Sequence, residues 1–97
     1  MKIYTLCGSM RFAAEMQKIA YDLEARLGIA ILSCVCCPDG ITPSKQEIDN
    51  LGSAHFRKID VSDGIYVVNI DGYIGASTRA EIEYAQSRGK EIIYHCT

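Results

Sequence analysis

Glu81 is the residue whose type and setting best suit covalent chemistry. It follows a strongly β-forming run, Ile65-Tyr-Val-Val68, and the segment Asn69-Ile-Asp-Gly-Tyr-Ile-Gly-Ala-Ser-Thr-Arg-Ala-Glu81. That segment carries two glycines and opens a helix through Ser77 and Thr78. A carboxylate at the exit of a buried strand suits a nucleophile or an ion-pair partner for a cationic transition state. A sugar losing its base passes through an oxocarbenium-like state, which a carboxylate below the ring stabilises or captures at C1'. The same residues also spell a structural device. Thr78-Arg-Ala-Glu81 fits the capping box, in which the carboxylate only returns to the Thr78 N–H, a contribution of about 0.5–2 kcal/mol. Spacing alone favours the cap.

Other residues offer the same choice between chemistry and structure. Gly8-Ser9 stands before the first helix, where backbone N–H groups, the Ser9 hydroxyl and the helix dipole suit an oxyanion, with Arg11 adding charge. Ser9 as a plain N-cap and Arg11 in solvent explain the same residues. One glycine does not make the three-glycine dinucleotide fingerprint. His55 lies on the apolar face of the second helix, where a lone histidine is more often a satisfied core residue. Reaching a ligand site from there requires the helix to lean across the sheet. Asn69, at the carboxyl end of the third strand, is placed for a ligand hydroxyl, whereas Asp63 reads as a turn or helix-end residue. Cys34-Val-Cys36-Cys37 invites a metal, but zinc needs four ligands and C-x-C-C is not a common finger or ribbon spacing. Cys7, His95 and Cys96 assist only if several strand ends meet. The expectation is no metal.

The bulk composition narrows the class. The chain has 97 residues and a net charge of −2, with a pI near 5.6. That length is enough for one domain, 1–97, burying roughly 60–65% of its unfolded surface. There is no basic field for a nucleic-acid polymer. No run approaches the ~18 apolar residues of a membrane span, and Met1-Lys-Ile begins a strand and not a signal peptide. Five cysteines, an odd number mostly in apolar runs, favour reduced, buried thiols and a cytoplasmic setting over a disulfide framework.

The elements that position these residues follow from periodicity. Lys2 to Leu6 is a buried strand ending in a turn at Cys7-Gly8-Ser9. A helix of about 17 residues follows, with Phe12, Met16, Ile19, Ala20, Leu23 and Leu27 on one face and Gly28 as its left-handed stop. Ile29 to Val35 reads as the second strand. Ser44-Lys-Gln-Glu47 is a capping box that starts the second helix, with Ile48, Leu51, His55 and Ile59 inward. Ile65 to Asn69, Thr78 to Arg88 and Glu91 to His95 complete strand, helix and strand, with Gly89 stopping the helix. Strands apolar on both faces, alternating with helices, imply α/β architecture with a four-stranded parallel sheet. Right-handed crossovers give strand order 2-1-3-4 in a flavodoxin/Rossmann-like three-layer sandwich. The chain reverses between strands 1 and 3, which opens a crevice at their carboxyl ends. The loops lining it, Cys7 to Arg11 and Asn69 to Ser77, are the glycine-bearing ones.

Three segments together resemble one family. Leu6-Cys-Gly-Ser-Met-Arg11, Ser62-Asp63, and Gly75-Ala-Ser-Thr-Arg-Ala-Glu81-Ile-Glu-Tyr-Ala85 with Gly89-Lys90 look like the nucleoside 2-deoxyribosyltransferase superfamily. That superfamily includes small 2'-deoxynucleoside 5'-phosphate N-hydrolases. The match runs from Ile3 to the last strand, and its first and third segments are the specific ones. The resemblance implies that Glu81 is the nucleophile and that Cys7, Gly8, Ser9, Met10 and Arg11 form the sugar and phosphate loop. It also implies that Gly75 and Ser77 contact phosphate. Gly75 stands where the family has serine or aspartate, so only its backbone can serve. His55 stands where the family has an acidic residue that helps protonate the departing base, a role histidine can fill near neutral pH. The family's first-strand tyrosine corresponds to Tyr4, or falls at Thr5 in the other register. Family enzymes often complete the site with a neighbouring subunit's residue after the last strand. This chain ends at Thr97, so that residue is expected to be missing.

The resulting expectation is cleavage or transfer of an N-glycosidic bond in a (deoxy)nucleoside or its 5'-monophosphate. It involves Glu81, His55 and Tyr4, with no cofactor and with a homo-oligomer closing the pocket. The alternatives are a nucleotide-binding or sequestering module without turnover, and a small protein-interaction domain in which the capping box accounts for Glu81.

Overall fold

A computed structural model describes residues 1–96. Thr97, after which the resemblance places a further site residue, lies outside them. Among the described residues the strands are β1 (Ile3–Gly8), β2 (Ala30–Leu32), β3 (Gly64–Val68) and β4 (Glu91–Tyr94). The helices are α1 (Ala13–Leu27), α2 (Lys45–Val61) and α3 (Ala76–Ser87). The strands form one sheet in the order β2-β1-β3-β4, and every pairing is parallel. This is the architecture expected from alternating apolar runs and right-handed crossovers.

Period-two alternation in the two central strands divides the core. Leu6 and Val68 point to one face, where Met16, Ile19 and Leu23 of α1 cover them. Cys7, Ile65 and Val67 point to the other, against Ile59 of α2 and Ile82 and Ala85 of α3. A fully buried aliphatic side chain contributes about 1.5–3 kcal/mol, so β1 and β3, buried on both faces, carry most of the sheet's stability. Their buried hydroxyls are satisfied too. Thr5 Oγ1 lies 2.7 Å from Ser62 Oγ, which donates to the Lys58 carbonyl at 2.7 Å.

Two boundaries and one helix face differ from expectation, each for a local reason. The first helix does not start directly after Ser9. A 3-10 turn, Met10–Phe12, precedes α1, and Phe12 leaves helical dihedrals to set its ring edge-on against Tyr73. The second strand is three residues and not seven. Past Leu32 it has no ladder partner, and Lys58 Nζ draws the Ser33 carbonyl away at 2.6 Å. The start of α2 is as expected, with both capping-box bonds formed between Ser44 and Glu47. Its first half is not inward, however. Ile48 and Leu51 are 54% and 38% exposed, because a loop, and not a strand, faces that half. Gly28 ends α1 in the left-handed region as expected, at φ 67°.

No helix among the described residues is long and apolar enough to cross a membrane. The cysteines are all free, but only Cys7 is fully buried. Cys34 is intermediate and Cys36, Cys37 and Cys96 are exposed, because the short β2 leaves the segment after it outside the sheet.

Candidate functional site

The carboxyl ends of β1 and β3 frame a cavity of about 320 Å³, within the range of small-molecule sites. β1 supplies Leu6 and Gly8 to its wall, followed by Ser9 and Met10. Gly8 is tight for a side chain: a Cβ there would lie 3.1 Å from Val68 Cβ and 3.2 Å from Met16 Sδ. The loop after β3 adds Tyr73 and Gly75, and the first turn of α3 adds Ala76, Ser77 and Thr78. Glu81, one turn further along, and His55 of α2 complete the inner wall with Cys34.

The start of α3 decides what Glu81 is. The helix begins at Ala76 and not at Thr78, with Gly75 as its N-cap and no side-chain cap bond. Thr78 is buried inside the helix, so its N–H is not the cap that a box at 78–81 requires. The capping-box reading of Glu81 is therefore wrong. The carboxylate turns instead to His55, with Oε1 3.4 Å from Nε2, and Glu81's side chain is 17% exposed. The first N–H groups of a helix lack intrahelical partners, and here an uncapped first turn lines the cavity.

His55 is buried and lines the cavity from a helix that packs against β1. Its Nε2 also lies 3.5 Å from Cys7 Sγ. A carboxylate only accepts, so the ring proton belongs on Nε2, facing Glu81. Nδ1 then remains a buried acceptor without a partner. Cys7 sits beneath the wall, its thiol pointing to the Thr5 carbonyl at 3.8 Å. Burial, and next the Glu81 charge, push that thiol far above its ordinary range. Burial also raises the Cys34 thiol, which donates to Met10 Sδ at 3.6 Å.

Several expected site residues are elsewhere. Tyr4 is at the amino end of β1, where its hydroxyl donates to Glu91, and it does not line the cavity. The parallel register pairs Tyr4 with Gly64, and Gly64 with Glu91, which puts all three at the end remote from the crevice. Arg11 stacks on the Tyr73 ring, 3.9 Å from its centroid, at the rim and not in the wall. The Asn69 side chain is taken by both polar atoms of the Cys96 backbone, at 2.9 and 2.7 Å. Asp63 accepts the Ile3 N–H at 2.8 Å and anchors β1. Cys34, Cys36 and Cys37 do not assemble with His95 or Cys96. The one convergence of possible metal-binding side chains among the described residues is Cys7, His55 and Glu81. Sequence reasoning did not single out Tyr73, although it sits two residues before Gly75 in the glycine-bearing loop. Its contacts with Phe12 and Arg11 are tertiary and leave no local pattern.

No protein-family model and no curated protein matches this chain. Among solved structures, a conserved protein from Enterococcus faecalis V583 superposes with a TM-score of 0.66 at 15% identity, covering 97% of this chain. This chain spans 62% of that protein's length. At that identity the likeness is one of fold, and it defines the class: a Rossmann-like parallel α/β domain.

Proposed function

We propose that the chain cleaves or transfers the N-glycosidic bond of a (deoxy)nucleoside or nucleoside 5'-monophosphate. The observation carrying this reading is the uncapped Glu81, held by His55 on the wall of a cavity sized for such a ligand. A Glu81 oxygen bonds to C1' as the C1'–N bond breaks, and the bonding pair leaves with the base. The base takes its proton from solvent, or from His55 when the ring carries protons on both nitrogens, which leaves a neutral imidazole. Water or a second base then opens the glycosyl ester. His55 is thus first a positioning residue for Glu81. Ser9, Ser77 and the α3 N-terminus would hold the sugar and any phosphate, since no lysine or arginine is in the cavity wall. A second copy of the chain would close the open side.

The test is base release from nucleosides and 5'-monophosphates by the wild type and by Glu81→Ala, followed by chromatography of the free base. The expected outcome is release by the wild type alone, and equal rates would end the assignment. A second reading, a module that binds nucleotides without turnover, rests on His55 standing where the resemblance expects an acidic residue. Calorimetry showing tight binding with no product would support that reading.

A further inference from the structure

We propose that Cys7, His55 and Glu81 form a binding site for one zinc-like transition-metal ion, with its open coordination position facing the cavity. Three different donors arrive from three elements, β1, α2 and α3, and their ligand atoms all lie within 4.8 Å of one another. Two of the three spacings fit a coordination tetrahedron. Metal–sulfur bonds of about 2.3 Å and metal–nitrogen bonds of about 2.0–2.1 Å put the two donors about 3.5 Å apart at the tetrahedral angle, and nitrogen and carboxylate oxygen about 3.3 Å apart. Here Cys7 Sγ is 3.5 Å from His55 Nε2, and His55 Nε2 is 3.4 Å from Glu81 Oε1. The third edge, sulfur to carboxylate, is within 4.8 Å.

The glycosidic reading leaves this cluster partly unexplained. It gives Cys7 no task, although the thiol lies against the imidazole inside the protein. A mixed thiolate, imidazole and carboxylate set suits zinc, and three protein ligands with one free position is the pattern of sites that keep a solvent or substrate ligand. On binding, Cys7 Sγ forms a bond to the metal and releases its proton to solvent. The imidazole keeps its single proton, now on Nδ1. The metal is a Lewis acid in this site, and nothing is oxidised or reduced. The proposal does not depend on the glycosidic reading. A bound ion would occupy Glu81, so the ion and a C1' nucleophile compete for one carboxylate.

Cobalt(II), added anaerobically to the reduced chain, is the probe. The expected result is one cobalt per chain with a thiolate-to-cobalt charge-transfer band, displaced by one zinc. The exposed thiols are controlled by replacing Cys34, Cys36, Cys37 and Cys96 with serine together, and the band must persist in that variant. It must then vanish when Cys7→Ala is added. Loss of the band from the four-serine variant itself would overturn the site. Circular dichroism checks that each variant folds. Should Cys7→Ala not fold, His55→Gln and Glu81→Gln carry the test by zinc calorimetry. Each should weaken binding at least about tenfold, since even removing a residue behind a ligand costs that much. Unchanged zinc affinity in both also overturns the proposal.

Discussion

The two ends of the parallel sheet use the same kinds of residue to opposite effect. At the amino end the charged groups are tied to partners in the strands and helix ends. Glu91 accepts from the Tyr4 hydroxyl and from Lys2, and the Tyr4 bond holds its carboxyl below the usual range. Lys90 Nζ donates to the carbonyls of Asp60 and Ser62 at 2.9 and 2.8 Å, and so closes the end of α2. Tyr84 donates to Asp60 at 2.6 Å. At the carboxyl end Glu81 meets one imidazole, that imidazole has an orphan nitrogen, and α3 starts without a cap. A saturated carboxylate holds strands together. An unsaturated one beside a cavity is free to meet a ligand, and that difference separates Glu91 from Glu81.

The sharpest way to break this contrast is to neutralise each carboxylate in turn. Glu81→Gln should lower base release at least about 10³-fold, while Glu91→Gln leaves it within about twofold. Similar losses in both, measured at saturating nucleoside, would erase the distinction between the two ends.

Packing offers the next contrast, in two glycines. A Cβ at Gly64 would lie 2.4 Å from the Glu91 carbonyl oxygen and 2.8 Å from the Tyr4 ring. Gly64→Ala should therefore cost about 2–4 kcal/mol in urea unfolding. At Gly75 the nearest atom is 3.5 Å away and the position is an empty N-cap. Gly75→Ser should gain a few tenths of a kcal/mol. Equal penalties at both would contradict the open geometry of the site end.

Lys90→Met tests whether the amino end is purely structural. Stability should fall by about 1–2 kcal/mol from the lost charged hydrogen bonds, with base release per folded molecule unchanged. A parallel loss of turnover would show that the two ends are coupled.

The smallest effect is in pH. The folded state holds the Cys7 thiol protonated, whereas the unfolded chain releases that proton near the ordinary value of 9.0. Above that pH the unfolded state binds fewer protons, so this contribution is full at neutral pH and is lost as pH rises. Tyr4, Tyr66 and Tyr84 are raised too, and they act later, from an ordinary value of 10.0. Cys34 is raised from the same ordinary value, so the urea midpoint of the wild type should fall more steeply above pH 9.0 than that of Cys7→Ala, and identical profiles would remove the effect from Cys7.

Two matching sequence patterns show how far local reading goes. Ser44-x-x-Glu47 and Thr78-x-x-Glu81 both spell a capping box, yet only the first is one. Ser44 follows a proline-bearing loop and is the true boundary of its helix. Thr78 lies inside a helix that begins at Ala76, and the Glu81 carboxylate turns to His55 on α2. Likewise His55 and Ile48 share a periodic face in the sequence, but only His55 has the sheet beneath it. Tyr4 was displaced by register: a strand's residues are legible locally, but which end of the sheet each one occupies depends on its neighbours.

Apolar alternation, turn glycines and helix stops are short-range properties, so the chain alone determined the strands, the helices, their order and the crevice between β1 and β3. Cys7 and His55 are 48 residues apart, and no local preference brings them together. Only the tertiary structure decided that they meet Glu81, because their contact depends on how α2 packs across β1 and where α3 begins.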